Sequence, residues 1–180
     1  HQASARRERR LERVRCGAMS EALLEVELFG AARSGRGTPG ALERADRGTL
    51  FLDEIDRLSR SLQLRLLRFL QQGRFERVGD SKERRADVRV VCASDMALDE
   101  LVKRGRFQAE LCSSLSVIRI EVPPLRDRLE DLPGLVEELV RAANAEHKRR
   151  VPGVTPGVLD RLAQYAWPGN VRELRSVIDG

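Results

Sequence analysis

Residues 48–55, Gly-Thr-Leu-Phe-Leu-Asp-Glu-Ile, constrain the fold more than any other stretch of this chain. Thr49 to Leu52 form a short apolar run bounded by Gly48 and by two acids, which reads as a buried strand. A strand apolar on both faces belongs in a parallel sheet covered by helices. Ligands of such open sheets collect at the carboxyl ends of the strands. There this strand delivers two adjacent carboxylates, Asp53 and Glu54. An Asp-Glu pair at that edge suits nucleotide hydrolysis, one carboxylate in the Mg²⁺ shell and the other polarising the attacking water. The same residues also suit a solvated acidic turn, so the rest of the chain has to decide.

The 180 residues are 41% hydrophobic and 34% charged, enough for one domain with a core or a domain with a small lid. The formal net charge of +5 suits an anionic partner such as nucleotide or nucleic acid, and equally an arginine-rich surface. At 4% of the chain, aromatic residues are too scarce for the stacking platforms of single-stranded nucleic acid binders. Cys16, Cys92 and Cys112 are widely spaced, no Cys-x-x-Cys pair exists, and His1 and His147 stand alone. This argues against a zinc site or disulfide framework and for reduced thiols in a cytoplasmic protein. No apolar run approaches the ~18 residues of a membrane span, and no signal-peptide pattern opens the chain. The chain starts at His1 rather than Met and ends at Gly180 within a predicted helix, as a piece of a longer polypeptide would.

Residues 1–15 carry Arg6, Arg7, Arg9, Arg10, Arg13 and Arg15 and read as a basic arm or an exposed helix. Ser20 is placed to cap a helix to about Phe29, with Leu23, Leu24 and Leu28 on one face. The glycine-rich stretch 30–40 reads as a phosphate cradle or a flexible connector, and lacks the Gly-x4-Gly-Lys-Ser/Thr spacing of a P-loop. Leu62, Leu66, Leu67, Phe69 and Leu70 predict a helix from about 61 to 72, stopped by Gly73. Strands are predicted over 75–78 and 88–92, helices over about 97–104 and 107–114, and an alternating strand over Val117–Val122 that Pro123 and Pro124 end. Beyond Pro133 only helices are predicted, over about 133–148, 156–165 and 170–179. Strands alternating with helices, then a helical tail, predict a parallel α/β core over 1–125 and a small α-helical lid over 126–180.

Seven segments in order carry a family resemblance. They are Glu27-Leu-Phe-Gly30, Gly48 to Ile55, Leu64-Arg-Leu-Leu-Arg-Phe-Leu-Gln-Gln-Gly73, Arg77-Val-Gly79, Pro123-Pro-Leu-Arg-Asp-Arg128, Glu130-Asp-Leu-Pro133 and Trp167-Pro-Gly-Asn-Val-Arg-Glu-Leu174. Over about residues 16–180 the chain resembles the central AAA+ domain of sigma-54-dependent transcriptional activators, the bacterial enhancer-binding proteins. The resemblance implies an AAA+ parallel-sheet core, here without its P-loop strand and helix, and a lid. It implies ATP and Mg²⁺ as cofactors, self-association into a ring, an RNA polymerase sigma factor as partner, DNA bound through a flanking domain, and no membrane. Asp53 and Glu54 correspond to the Walker B pair, Asp53 holding Mg²⁺ through water and Glu54 acting on the attacking water. Asp95 falls in the sensor segment near the γ-phosphate. Arg172 falls on the lid arginine that senses nucleotide, where a permanent charge and a planar fork fit phosphate oxygens. Pro168 and Asn170 are read as shaping the start of the last helix.

Several positions depart from the family pattern. The Walker A loop would lie upstream of His1, because His1-Gln2 resembles the end of the helix that follows it. The family's substrate loop, Gly-Ala-Phe-Thr-Gly-Ala, is replaced by Ala31-Ala-Arg-Ser-Gly-Arg-Gly37, shorter and without the Phe-Thr pair. Gln108 and Ser114 stand where two trans-acting arginines would be. The Ala-Thr-Asn sensor reads Ala93-Ser-Asp95, which adds negative charge near Glu54. The asparagine that orients the Walker B glutamate is Arg15, placed to pin Glu54 in an ion pair. These departures predict a transcriptional regulator of the sigma-54 activator type with hydrolysis and sigma-54 contact compromised. The alternatives are an active ATPase that remodels sigma-54 RNA polymerase, a non-hydrolytic assembly module, and a decaying gene. Without the P-loop strand and helix, one sheet face is expected to be exposed.

Overall fold

The computed structural model describes residues 1–32 and 37–180. Residues 33–36, at the centre of the replaced substrate loop, lie outside the described residues. The chain forms two compact units, His1–Arg119 and Ile120–Gly180.

The first unit is built on a three-stranded parallel sheet in the order β1 (Leu11–Arg15), β2 (Thr49–Asp53), β5 (Arg89–Cys92). The apolar run identified above is its central strand. Arg15 pairs in register with Asp53, and Leu52 with Cys92. Val14, Leu50 and Leu52 pack into one core with Leu24 and Leu28 of α1 (Glu21–Phe29), Leu62 and Leu66 of α3 (Arg60–Gln72), and Leu111. α3 forms as its spacing requires. The Ser59 hydroxyl accepts from the Leu62 amide (3.4 Å), and Gly73, left-handed at φ 66°, closes the helix through its amide on the Phe69 carbonyl. Next comes an antiparallel hairpin, β3 (Arg74–Glu76) with β4 (Glu83–Arg85). Two short helices follow β5, α4 (Leu98–Lys103) and α5 (Ala109–Leu115). Sequence patterning missed β4 and a four-residue helix, α2 (Ala41–Arg44), both too short to show a period.

The base of the 30–40 loop is tightly closed. Ala31 and Thr38 exchange backbone hydrogen bonds of 3.0 and 2.8 Å. Gly30 sits at φ 82°, and a Cβ on Gly40 would lie 2.3 Å from the Gly30 nitrogen, so both positions require glycine.

Three expectations are corrected. Residues 11–15 are neither arm nor helix: they form β1, in which Leu11, Arg13 and Arg15 are exposed and Val14 is buried. One buried apolar residue amid arginines was too weak an alternation to read. Val117–Val122 is not a strand, and no described strand pairs with it. Val117 and Ile120 are 84% and 83% exposed, because an alternating pattern becomes a strand only where a neighbour supplies the ladder. Finally, Leu23 faces solvent rather than joining Leu24 and Leu28, and Ser20 caps α1 through its carbonyl alone (Leu24 amide, 2.9 Å).

The expected open sheet face is present. Leu11 and Val91 are 44% and 40% exposed, and between their strands the Arg13 guanidinium lies 5.6 Å from the centre of the Phe51 ring.

One buried polar side chain holds α3 to the turn before α5. Gln63 donates to the carbonyls of Leu58 (2.8 Å) and Arg106 (3.2 Å) and accepts from the Gln108 amide (3.0 Å). Gln63→Leu keeps the volume but leaves these backbone groups unpaired, and is expected to cost about 3 kcal/mol in urea denaturation.

The second unit packs α6 (Leu132–His147), α7 (Pro156–Ala163) and α8 (Asn170–Asp179) around Leu125, Leu132, Val136, Trp167 and Leu174. Asn170 shapes the start of α8 from a left-handed backbone (φ 52°), and its side-chain oxygen accepts from the Leu125 amide at 2.8 Å. Glu173 accepts from the Gly169 amide (2.8 Å), which completes that turn. Among the described residues, no helix is long and apolar enough to cross a membrane.

Candidate functional site

β2 ends at Asp53, and the chain then turns sharply through Glu54 at φ 56°, ψ 47°. A left-handed conformation costs a non-glycine residue about 1 kcal/mol, so the surroundings must hold it. They do so from two sides. The Glu54 amide donates to Asp53 Oδ1 (3.1 Å), and the Ile55 amide donates to the Ala93 carbonyl (3.0 Å). The Ala93 amide in turn donates to the Leu52 carbonyl (2.9 Å), which sets the start of the 93–95 segment beside the two acids.

The parallel register brings Arg15 to the same strand ends. Its Nε lies 3.7 Å from Asp53 Oδ2 and 3.9 Å from Glu54 Oε1. The guanidinium is more than half exposed, so this pairing is worth about 1 kcal/mol at most. Its site is nevertheless specific: one permanent cation set against both carboxylates. Gly17, not among the sequence candidates, completes the arrangement. A Cβ there would lie 2.1 Å from Glu54 Oε2, so the Glu54 carboxylate rests where a side chain on residue 17 would be. No signal in the sequence marked Gly17, because the strand it follows, β1, was itself not legible. Asp56 was also missed. Its carboxylate accepts from the Ser94 hydroxyl (3.2 Å) and lies 3.6 Å from Arg57 Nε.

This site lies within a sequence whose relatives are regulators of transcription. The family model described as the sigma-54 interaction domain matches residues 1–121, and the AAA+ ATPase lid domain matches residues 126–180. The chain belongs to the sigma-54 interaction domain family. It is 40% identical to the transcriptional regulatory protein XylR of Pseudomonas putida, over 99% of this chain and 32% of that protein. It is 41% identical to the transcriptional regulatory protein ZraR of Klebsiella oxytoca, over 99% of this chain and 42% of that protein. The crystal structure of NtrX from Brucella abortus matches with a TM-score of 0.93 at 33% identity, over 99% of this chain and 41% of that one. NtrX has also been crystallised in complex with ADP and with ATP. The chain thus spans less than half the length of these relatives.

As a sigma-54 interaction domain, the chain brings only some of its expected site residues together. Asp53 and Glu54 are adjacent, with Arg15 Nε within 4 Å of both carboxylates. Asp95 is exposed, and among the described residues its carboxylate makes no hydrogen bond or ion pair; the neighbouring Ser94 is the side chain that reaches an acid, Asp56. Arg172 belongs to the second unit, in the first turn of α8. It is exposed, its guanidinium engages no described residue, and its carbonyl accepts from the Ser176 hydroxyl (3.1 Å). Gln108 donates its side-chain amide to the Arg60 carbonyl (3.3 Å), and Ser114 bonds back to the Glu110 carbonyl (2.9 Å). Among the described residues no group of three or more His, Cys, Asp or Glu could hold a metal. The two-carboxylate strand end does suit Mg²⁺, which takes one or two carboxylates and completes its shell with water and phosphate oxygens.

Cys16, directly after Arg15, reports on the charge of this site. Burial, then the negative charges of Asp53, Glu54 and Asp56, push its thiol from 9.0 up to about 12. A thiolate there would be both desolvated and repelled, so the folded chain is expected to resist iodoacetamide at Cys16 near neutral pH. The linkage sign follows. The folded state keeps its proton while the unfolded state loses it, so the contribution is intact below about pH 9 and fades as pH rises toward 12. Denaturation midpoints should therefore fall less steeply above about pH 9 in Cys16→Ala than in the parent chain.

Proposed function

We propose that this chain is the nucleotide-binding AAA+ module of a transcriptional regulator of the sigma-54 activator type in which ATP hydrolysis and sigma-54 contact are compromised. The observation that carries the reading is the placement of Arg15, 3.7 and 3.9 Å from the two acids that hydrolysis requires. In this reading Asp53 holds Mg²⁺ through water and Glu54 faces the attacking water. A permanent positive charge beside both carboxylates competes with the metal and draws Glu54 away from that water. Asp95 and Arg172 are the nucleotide-facing residues of a core (1–125) and a lid (126–180). NtrX, crystallised with ADP and with ATP, supports nucleotide binding. The weakened contact to the sigma factor rests on the replaced loop sequence after Gly30. Ring assembly and DNA binding through a flanking domain follow the family pattern.

The test is ATP turnover by the polypeptide read from its natural start, beside a Glu54→Gln control. Nucleotide binding without turnover above the control is the expected result. Turnover that disappears in the control would make the domain a working ATPase. Arg15→Asn is expected to raise turnover about fivefold, the equivalent of about 1 kcal/mol for a half-exposed ion pair. No gain in that variant would remove Arg15 from the argument.

A further inference from the structure

The sheet is electrically polarised along its strands. All three strands are parallel, so their starting ends form one rim. Backbone bonds tie that rim together: the Thr49 amide to the Arg10 carbonyl (3.0 Å), the Arg89 amide to the Gly48 carbonyl (3.1 Å), and the Arg47 amide to the Asp87 carbonyl (2.7 Å). Segments 6–10, 46–48 and 87–89 hold six arginines against three carboxylates. All three carboxylates are already engaged. Asp87 pairs with Arg6 (2.7 Å), Glu8 with Arg7 (3.3 Å), and Asp46 accepts from the Asp87 amide (2.8 Å). Arg9, Arg10, Arg47 and Arg89 are exposed, and among the described residues none of their guanidinium groups has a carboxylate partner. The opposite strand ends carry Asp53, Glu54 and Asp56, with Arg15 and Arg57 paired to them.

Arg47 is the most telling of the four. Its backbone is left-handed at φ 60°, where glycine or asparagine is the cheaper residue. Among the described residues its guanidinium makes no hydrogen bond or ion pair. Four permanent charges on planar forks fit phosphate oxygens. These three segments offer no helix to enter a groove and no aromatic ring to stack on a base, which leaves the sugar-phosphate backbone as the part of a nucleic acid they can engage.

We infer that the amino-terminal rim of the parallel sheet, through Arg9, Arg10, Arg47 and Arg89, docks the phosphate backbone of double-stranded DNA without reading its sequence. This surface is separate from the Asp53–Glu54 end and does not depend on nucleotide chemistry there.

The test is fluorescence anisotropy of the 180-residue chain with a labelled duplex of about 20 base pairs, from about 50 to 300 mM salt. Four neutralised phosphates predict a log–log salt slope of about −3.6, since each contributes about 0.9. Arg47→Gly, which suits the left-handed backbone, is expected to reduce that slope by about 0.9 with an unchanged circular dichroism spectrum. Arg161→Gln removes the same charge from α7 and is expected to leave the slope unchanged. Three results would overturn the proposal: no binding at the lowest salt, equal slope changes in both variants, or displacement by polyglutamate as effective as by unlabelled duplex. The second would reduce the effect to net charge, and the third would make an acidic protein the partner.

Discussion

Trp167→Ala is expected to unfold Ile120–Gly180 while the sheet unit stays folded. Trp167 is 2% exposed in a unit with a single small core. Its indole Nε1 donates to the Leu162 carbonyl (2.7 Å), and its ring meets Tyr165 edge-on at 5.0 Å. Truncation removes the largest side chain of that core together with the shorter of the two hydrogen bonds on the Leu162 carbonyl, the other coming from the Tyr165 amide (3.3 Å), and costs about 4 kcal/mol. A unit of this size has little more stability than that to lose. Hydrogen exchange read by segment checks it: protection should vanish in α6 and α8 and persist in β2. Uniform loss across both units would show that they fold as one. Leu50→Ala, at a fully buried position in β2, should produce the converse pattern.

The second large effect is a gain. If hydrolysis is limited by the missing cations, restoring them should recover it. Gln108→Arg with Ser114→Arg on an Arg15→Asn background is expected to raise ATP turnover about 10³-fold, the lower end of what arginine fingers supply in phosphoryl transfer. The positions tolerate the change. Ser114 is exposed on α5, and its hydroxyl bonds only within its own helix. Gln108 gives up one long hydrogen bond of 3.3 Å, while its backbone amide stays on Gln63. Turnover measured on the polypeptide read from its natural start, with and without the three substitutions, decides the matter. Unchanged turnover with nucleotide still bound would place the block elsewhere, in Asp95 or in the geometry of Glu54.

Legibility differed between elements for physical reasons. The run at 49–53 was readable because the central strand of a parallel sheet is apolar throughout, and α3 because its leucines keep a helical period up to Gly73. β1 was not readable. Its outward residues are arginines, and its position as a strand rests on pairing with β2, which is remote in sequence. Val117–Val122 failed in the opposite direction: local alternation was strong, but a strand is a property of two segments and no described strand pairs with this one. Of the site, Asp53 and Glu54 were legible from their place after an apolar run. Gly17 and Asp56 entered only when the fold brought residues 17, 54, 56 and 94 together.

The chemical types were legible in the residue order alone: a strand ending in paired acids, a helical tail, an arginine-rich opening, and the family. Those follow from local composition and spacing, which the chain carries without folding. Which charges meet depended on the folded arrangement. The register of β1 on β2 sets Arg15 against Asp53 and Glu54, and the common direction of three strands gathers Arg10, Arg47 and Arg89 at one rim and the acids at the other. Electrostatic partners are fixed by distances of a few ångströms between residues tens of positions apart. Such distances exist only once the sheet has formed.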